Sequence, residues 1–172
     1  MVGNGYLISL TREHAKRLFG QQDDDQLRQF LAELRSARDL KESGRILELL
    51  TLWDPLHRCL TDGELDPAGG EAPLNHAILG GRQLHRGNDY IAAMVRPDMA
   101  NFVAEALSHV KEDELRQKFF GLNAESYGRP IDEKQFMEVW IALRNMRILY
   151  EAAAENLEAV VFAGELQEGS AS

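Results

Sequence analysis

The chain has 172 residues, 44% of them hydrophobic and 27% charged, a balance that suits one globular domain and excludes intrinsic disorder over most of its length. Nineteen Lys and Arg stand against 28 Asp and Glu, a net charge of −9 that repels phosphate backbones and anionic lipid and argues against nucleic acid as a partner. The one cysteine, Cys59, cannot close a disulfide within the chain, and no run reaches the roughly 18 apolar residues that would span a membrane.

Met1 to Leu10 lacks the basic start and apolar run of a signal peptide, so a cytoplasmic protein is expected. Tyr6 to Leu10 follows two glycines and reads as a buried first strand, over about residues 5–10. Thr11 suits the N-cap of a short helix through Phe19. Asp23 to Asp25 open a second helix, whose Leu27, Phe30, Leu31 and Leu34 fall on one stripe.

Ile46 to Leu60 is helical in texture, with Asp54 as a fresh N-cap and Pro55 as the first helical residue, or else a kink within one helix. Asp62 to Pro73, rich in Gly, Pro and acids, reads as an exposed connection. Leu74 to Leu79 suggests a short helix ended by Gly80-Gly81, and Tyr90 to Val95 an uncharged central strand.

Pro97 starts another helix, which Phe102, Val103, Ala106, Leu107 and Val110 continue, and a further one runs from about Glu112 to Phe120. Ile131 to Asn156 is the longest helix. Phe136, Trp140, Leu143, Met146, Tyr150 and Ala153 share one face while Ile141 and Ile148 lie off it, which implies burial on more than one side. A strand over 157–163 ends the fold, and Gly164 to Ser172 is a polar tail expected to fray. These elements make an α+β domain over 1–163, with a small, mostly antiparallel sheet packed by several helices.

The residues also carry a resemblance. Gly5-Tyr6, the segment Trp53-Asp54-Pro55-Leu56-His57 running to Leu60-Thr61, Pro73-Leu74 with Ala77 to Gly81, and the closing helix with Ala159-Val160-Val161 resemble the YfbM-like family of small bacterial proteins. The likeness covers nearly the whole chain, and its most specific part is Trp-x-x-Leu-His-x-x-Leu-Thr followed by Pro-Leu. It implies an α+β domain with a small sheet packed by helices, and no activity, cofactor or partner. Trp53, His57 and Thr61 match the pattern. Thr51 stands two positions before the tryptophan, where members of the family often carry a basic residue, so the resemblance implies no anion site built on that base.

Trp53 and His57 are i, i+4 neighbours on a continuous helix and Thr61 follows one turn later, so the three could line one wall of a ligand pocket. Asp54 lies three residues before His57 and could orient the imidazole, as a general base requires. A structural reading is the commoner one: aspartate before proline often caps, and a core histidine often bonds a main-chain carbonyl.

The remaining motifs point to ordinary structure. Cys59 reads as core, because residues two apart on a helix diverge and no nucleophile elbow is present. His76, His85 and His109 lack metal-ligand spacing, Gly80-Gly81 and Gly87 lack a phosphate-loop lysine, and Asp23 to Asp25 lack the rest of a calcium loop. Phe136, Leu143, Tyr150 and Leu157 recur every seven residues, and packing within the chain is favoured over a dimer seam, leaving a monomer or weak homodimer.

Two functional readings follow. The preferred one is a non-catalytic binding or interaction module for a small molecule or protein, with Trp53, His57, Thr61 and Tyr6 at the site and no cofactor or metal. The alternative is a small hydrolase or transferase with His57 as general base, Asp54 orienting it, and Tyr6 or Thr61 holding substrate.

Overall fold

The computed structural model describes residues 2–166. A five-stranded antiparallel sheet lies between two layers of helices. Its strands are β1 (Val2–Leu10), β2 (Ile46–Leu50), β3 (Arg82–Gln83), β4 (Tyr90–Val95) and β5 (Ala159–Leu166), in the spatial order β2-β1-β5-β4-β3. Side-chain alternation divides the core. Tyr6, Ile8, Leu10, Val161 and Ala163 face one way, onto α1 (Arg12–Phe19), α2 (Asp24–Ser36) and α3 (Arg38–Glu42). Leu7, Val160 and Phe162 face the other, onto α4 (Trp53–Leu60), α5 (Pro97–Ser108), α6 (Glu112–Phe120) and α8 (Glu133–Glu155), with the short α7 (Ala124–Tyr127) beside them. Covered on both sides, β5 is a continuous apolar run from Ala159 to Ala163.

Local chemistry sets most of the helix starts. Thr11 accepts a bond from the His14 N–H at 3.2 Å, Asp23 from the Gln26 N–H at 2.8 Å and Asp132 from the Gln135 N–H at 2.8 Å. Pro97 opens α5, where its missing N–H costs nothing. Gly80 and Gly81 form the turn before β3, and a Cβ at Gly80 would stand 2.3 Å from the Asn75 carbonyl oxygen. Among the described residues, no helix is long and apolar enough to cross a membrane.

Four expectations need correction. Ile46 to Leu50 is a strand paired with β1, and α4 starts at Trp53 after Leu52, which contributes no capping side chain. Spacings among Ile46, Leu47, Leu49 and Leu50 fit a helix stripe as well as a strand, and pairing with β1 decides between them. Asp54 and Pro55 are therefore the second and third residues of α4, still within the first turn where backbone N–H groups need no helical partner.

Second, Leu74–Ala77 is a 3-10 turn, too short to form an α-helix before Gly80-Gly81. Third, α8 buries one face only: Ile141 and Ile148 are exposed, and Leu157 lies beyond the helix. Finally, β5 begins at Ala159 and continues through Gly164, which pairs with Gly5 and Ile91, to Leu166. The tail expected from Gly164 is thus strand as far as Leu166, and 167–172 lies outside the described residues.

Candidate functional site

The helix α4 packs its whole length into the core. Trp53 is fully buried against Phe162, with ring centroids 5.2 Å apart, and its indole N–H donates to the Gly3 carbonyl at 2.9 Å. His57, 1% exposed, bonds the Asp66 carbonyl through Nε2 at 2.8 Å. A carbonyl only accepts, so Nε2 carries the proton of the neutral ring. Burial lowers the His57 pKa, partly opposed by the Asp66 carbonyl and by Asp62, Asp54 and Asp66.

The Thr61 hydroxyl donates to the His57 carbonyl at 2.6 Å, closing the end of the helix on itself. Asp54 does not reach the imidazole. Its Oδ1 takes the Arg58 Nε–H at 2.6 Å and its Oδ2 lies 3.7 Å from Arg129 Nη2. Arg58 also reaches the Gly63 carbonyl and Ser126, and Arg129 donates to the Thr51 carbonyl at 2.9 Å. The cluster thus ties α4 to the α7–α8 connection. Burial pushes the neighbouring Cys59 thiol up to about 12, so it stays protonated.

Tyr6 sits on the opposite face of the sheet. Its hydroxyl meets that of Tyr90 at 3.4 Å, and Arg35 and Arg28 of α2 stack over the two rings at 4.5 and 4.8 Å. Burial raises both phenol pKa values. The structure therefore places Trp53 and His57 on α4 with Thr61 at its C-terminal cap, and leaves Tyr6 across the sheet from them.

Open space lies elsewhere. A cleft of about 580 Å³ separates the α1–α2 connection from β3 and the residues after it. Phe19, more than half exposed, stands at one side with the Arg82 guanidinium 5.7 Å from its ring. Gln21, Gln22, Gln83 and Arg86 add polar groups to the lining, as do the acids Asp23, Asp24 and Asp25. Asp24 is already engaged: it accepts from the Arg86 and Gly87 N–H groups at 3.1 and 3.0 Å, and chiefly the Arg86 bond lowers its pKa. Among the described residues, neither Arg82 nor Arg86 forms an ion pair through its side chain.

A second groove, about 660 Å³, runs between Leu10, Ala15, Pro97 and Leu157. Several of its polar groups are satisfied within the chain, Glu158 by Arg45 and Ser9, Asp98 by Arg96, and Thr11 by the His14 N–H, while Arg12 and Asn156 complete the polar lining. Among the described residues, no three His, Cys, Asp or Glu side chains gather so as to hold a metal ion.

Residues 1–163 match the family described as Domain of unknown function (DUF1877). The chain belongs to this family. A solved structure described as that of a protein of unknown function, YfbM, from Escherichia coli shares the fold of this DUF1877 member, with a TM-score of 0.65 and 17% identity over 95% of this chain and 99% of that one. The YfbM-like resemblance seen in the Trp53 to Thr61 segment therefore holds at the level of family and fold. Comparison of this DUF1877 chain with the curated proteins finds no match.

The cleft residues escape a reading of the sequence. Gln21-Gln22 and Arg82 to Arg86 lie about 60 positions apart, and polar residues beside turns are what any loop contains. Arg82 follows the Gly80-Gly81 turn, which is the only local sign that this stretch is held in place.

Proposed function

We propose that the protein is a non-catalytic binding module that recognises a small molecule or a protein partner at the cleft between the α1–α2 connection and β3. The observation that carries this reading is the state of the cleft's side chains. Among the described residues the guanidiniums of Arg82 and Arg86 form no ion pair, and they share with the exposed ring of Phe19 and the acids Asp23 to Asp25 a cavity large enough for a small molecule or a peptide side chain. A partner bearing a carboxylate or phosphate next to an apolar group fits these features, because arginine binds such anions in a forked geometry.

Trp53, His57, Thr61 and Tyr6 act in this reading as the scaffold that fixes the sheet, since the Trp53 and His57 N–H groups and the Thr61 and Tyr6 hydroxyls are already bonded within the chain. A hydrolase or transferase built on His57 draws no support from a buried ring whose Nε2–H is committed to Asp66 and whose neighbour Asp54 serves Arg58. The module works in the cytoplasm of a bacterial cell, without cofactor or metal.

A thermal-shift screen over anionic metabolites and acidic peptides tests this reading on the natural chain, on Arg82→Ala/Arg86→Ala and on His57→Ala. A ligand at 100 times its Kd stabilises the fold by about 2.7 kcal/mol. The expected result is a shift in the natural chain and, from a lower starting point, in His57→Ala, with none in the arginine pair. A shift kept by the arginine pair and lost in His57→Ala overturns the assignment.

A further inference from the structure

The outward face of α8 carries an apolar line with no cover. Met137, Ile141 and Ile148 are 42%, 52% and 66% exposed, and their spacing of four and seven residues sets them on one stripe, which the exposed Ala152 continues and the exposed Asn145 interrupts between the two isoleucines. Lys134 stands at the beginning of this stripe and Glu155 at its end, both exposed, with Glu151 nearby. The start of α8 carries the capping Asp132 and Glu133, which suit the helix dipole, whereas its last turn holds no basic residue to offset the carboxylates there. Among the described residues, neither Lys134, Glu151 nor Glu155 is in an ion pair.

We infer that this face docks a second copy of the chain, with the two α8 helices antiparallel. In that register Ile141 faces Ile148 of the second copy, Met137 faces Ala152, and Lys134 faces Glu155. Two-fold symmetry makes each contact twice. The lysine near each helix start then meets the carboxylate at the other helix's end, which supplies the positive charge that the last turn of a lone α8 lacks. Arg144 lies on the flank of the stripe, where a long side chain keeps its charge in water.

From Lys134 to Glu155 the stripe is about 30 Å long at the helical rise. One helix pair of that length falls at the small end of specific interfaces, below about 1,200 Å² in total, so the dimer forms in proportion to concentration and is not obligate. The docking face and the cleft lie on opposite sides of the sheet, because α8 packs in the core with Leu7 and Phe162 while Leu18 and Leu27 of the cleft pack in the other. Both clefts stay open in the dimer, and a partner offering two sites would gain avidity.

Sedimentation velocity over a range of concentrations tests the inference on the natural chain, Ile141→Glu, Lys134→Glu, Glu155→Lys and the double Lys134→Glu/Glu155→Lys. All these positions are exposed, and circular dichroism with thermal melting reports that each variant keeps its fold. The natural chain is expected to pass from monomer to dimer, Ile141→Glu to stay monomeric, and each single reversal to raise the dimer Kd about tenfold. The double reversal should restore the natural Kd to within about threefold. A natural chain that stays monomeric, a folded Ile141→Glu with unchanged dimerisation, or a double reversal no better than the singles overturns the inference.

Discussion

The indole of Trp53 occupies the space that a side chain at Gly5 would need: a Cβ there would stand 2.6 Å from Trp53 Cδ1 and 2.8 Å from Phe162 Cε2. The β1–β2 register shifts between Gly5 and Tyr6, so the glycine lets the strand bend around the ring. Gly5→Ala should overpack this junction and cost about 1–3 kcal/mol. Urea unfolding measures it as a lower midpoint with an unchanged slope; an unchanged midpoint would mean that β1 yields to the methyl group.

The ion pair of Asp54 and Arg58 is nearly sealed, with side-chain exposures of 6% and 7%. Removing only the carboxylate strands the guanidinium in the core, so Asp54→Ala should cost about 3–5 kcal/mol. Replacing both residues by Ala should cost less than the two single losses summed. A double-mutant cycle reads this coupling, and strict additivity would show that Gly63 and Ser126 alone satisfy Arg58.

Stability should fall in two steps as the solution is acidified. His57 is held below its ordinary pKa of 6.5 by burial. Below about pH 6.5 the unfolded chain takes up a proton that the folded chain refuses, so stability present above that pH is lost as the pH drops toward the folded value. Burial opposes the charge of Glu158, but bonds from Arg45 and Ser9 outweigh it and put its pKa under the ordinary 4.5. Its contribution, present above pH 4.5, is lost below it. Melting temperatures across this range should show His57→Gln removing the upper step alone and Glu158→Gln the lower.

Leu157 holds a left-handed backbone, φ 55°, with 77% of its surface exposed. A branched aliphatic residue gains nothing there and strains the chain, whereas asparagine tolerates that conformation. Leu157→Asn should raise stability by about 0.5–1 kcal/mol. Thermal unfolding decides, and a lower melting temperature would mean that Leu157 packs on the α8–β5 corner more than its exposure suggests.

The legible parts of the fold were those written in local chemistry. Thr11, Asp23 and Pro97 mark helix starts by capping or by a dispensable N–H, and Tyr90 to Val95 and Ala159 to Ala163 are apolar over a strand's length. Ile46 to Leu50 misled because its leucines fit either period and only the distant partner β1 chooses. Arg82–Gln83 is too short to signal itself.

Crowding of Trp53, Asp54 and His57 in an apolar stretch correctly implied that their polar groups need partners. Those partners, Gly3, Arg58 and Asp66, are found only in the folded chain. The cleft left no trace in the sequence, because it is a space between segments, and periodicity reports what touches the core.

The sheet order also constrains synthesis. Strand β5 joins β1 to β4, so while a ribosome is still making α8 the strands β1 and β2 have no link to β3 and β4. The nascent polypeptide must keep two apolar half-sheets apart until residue 166 emerges, a period in which chaperones have most to shield.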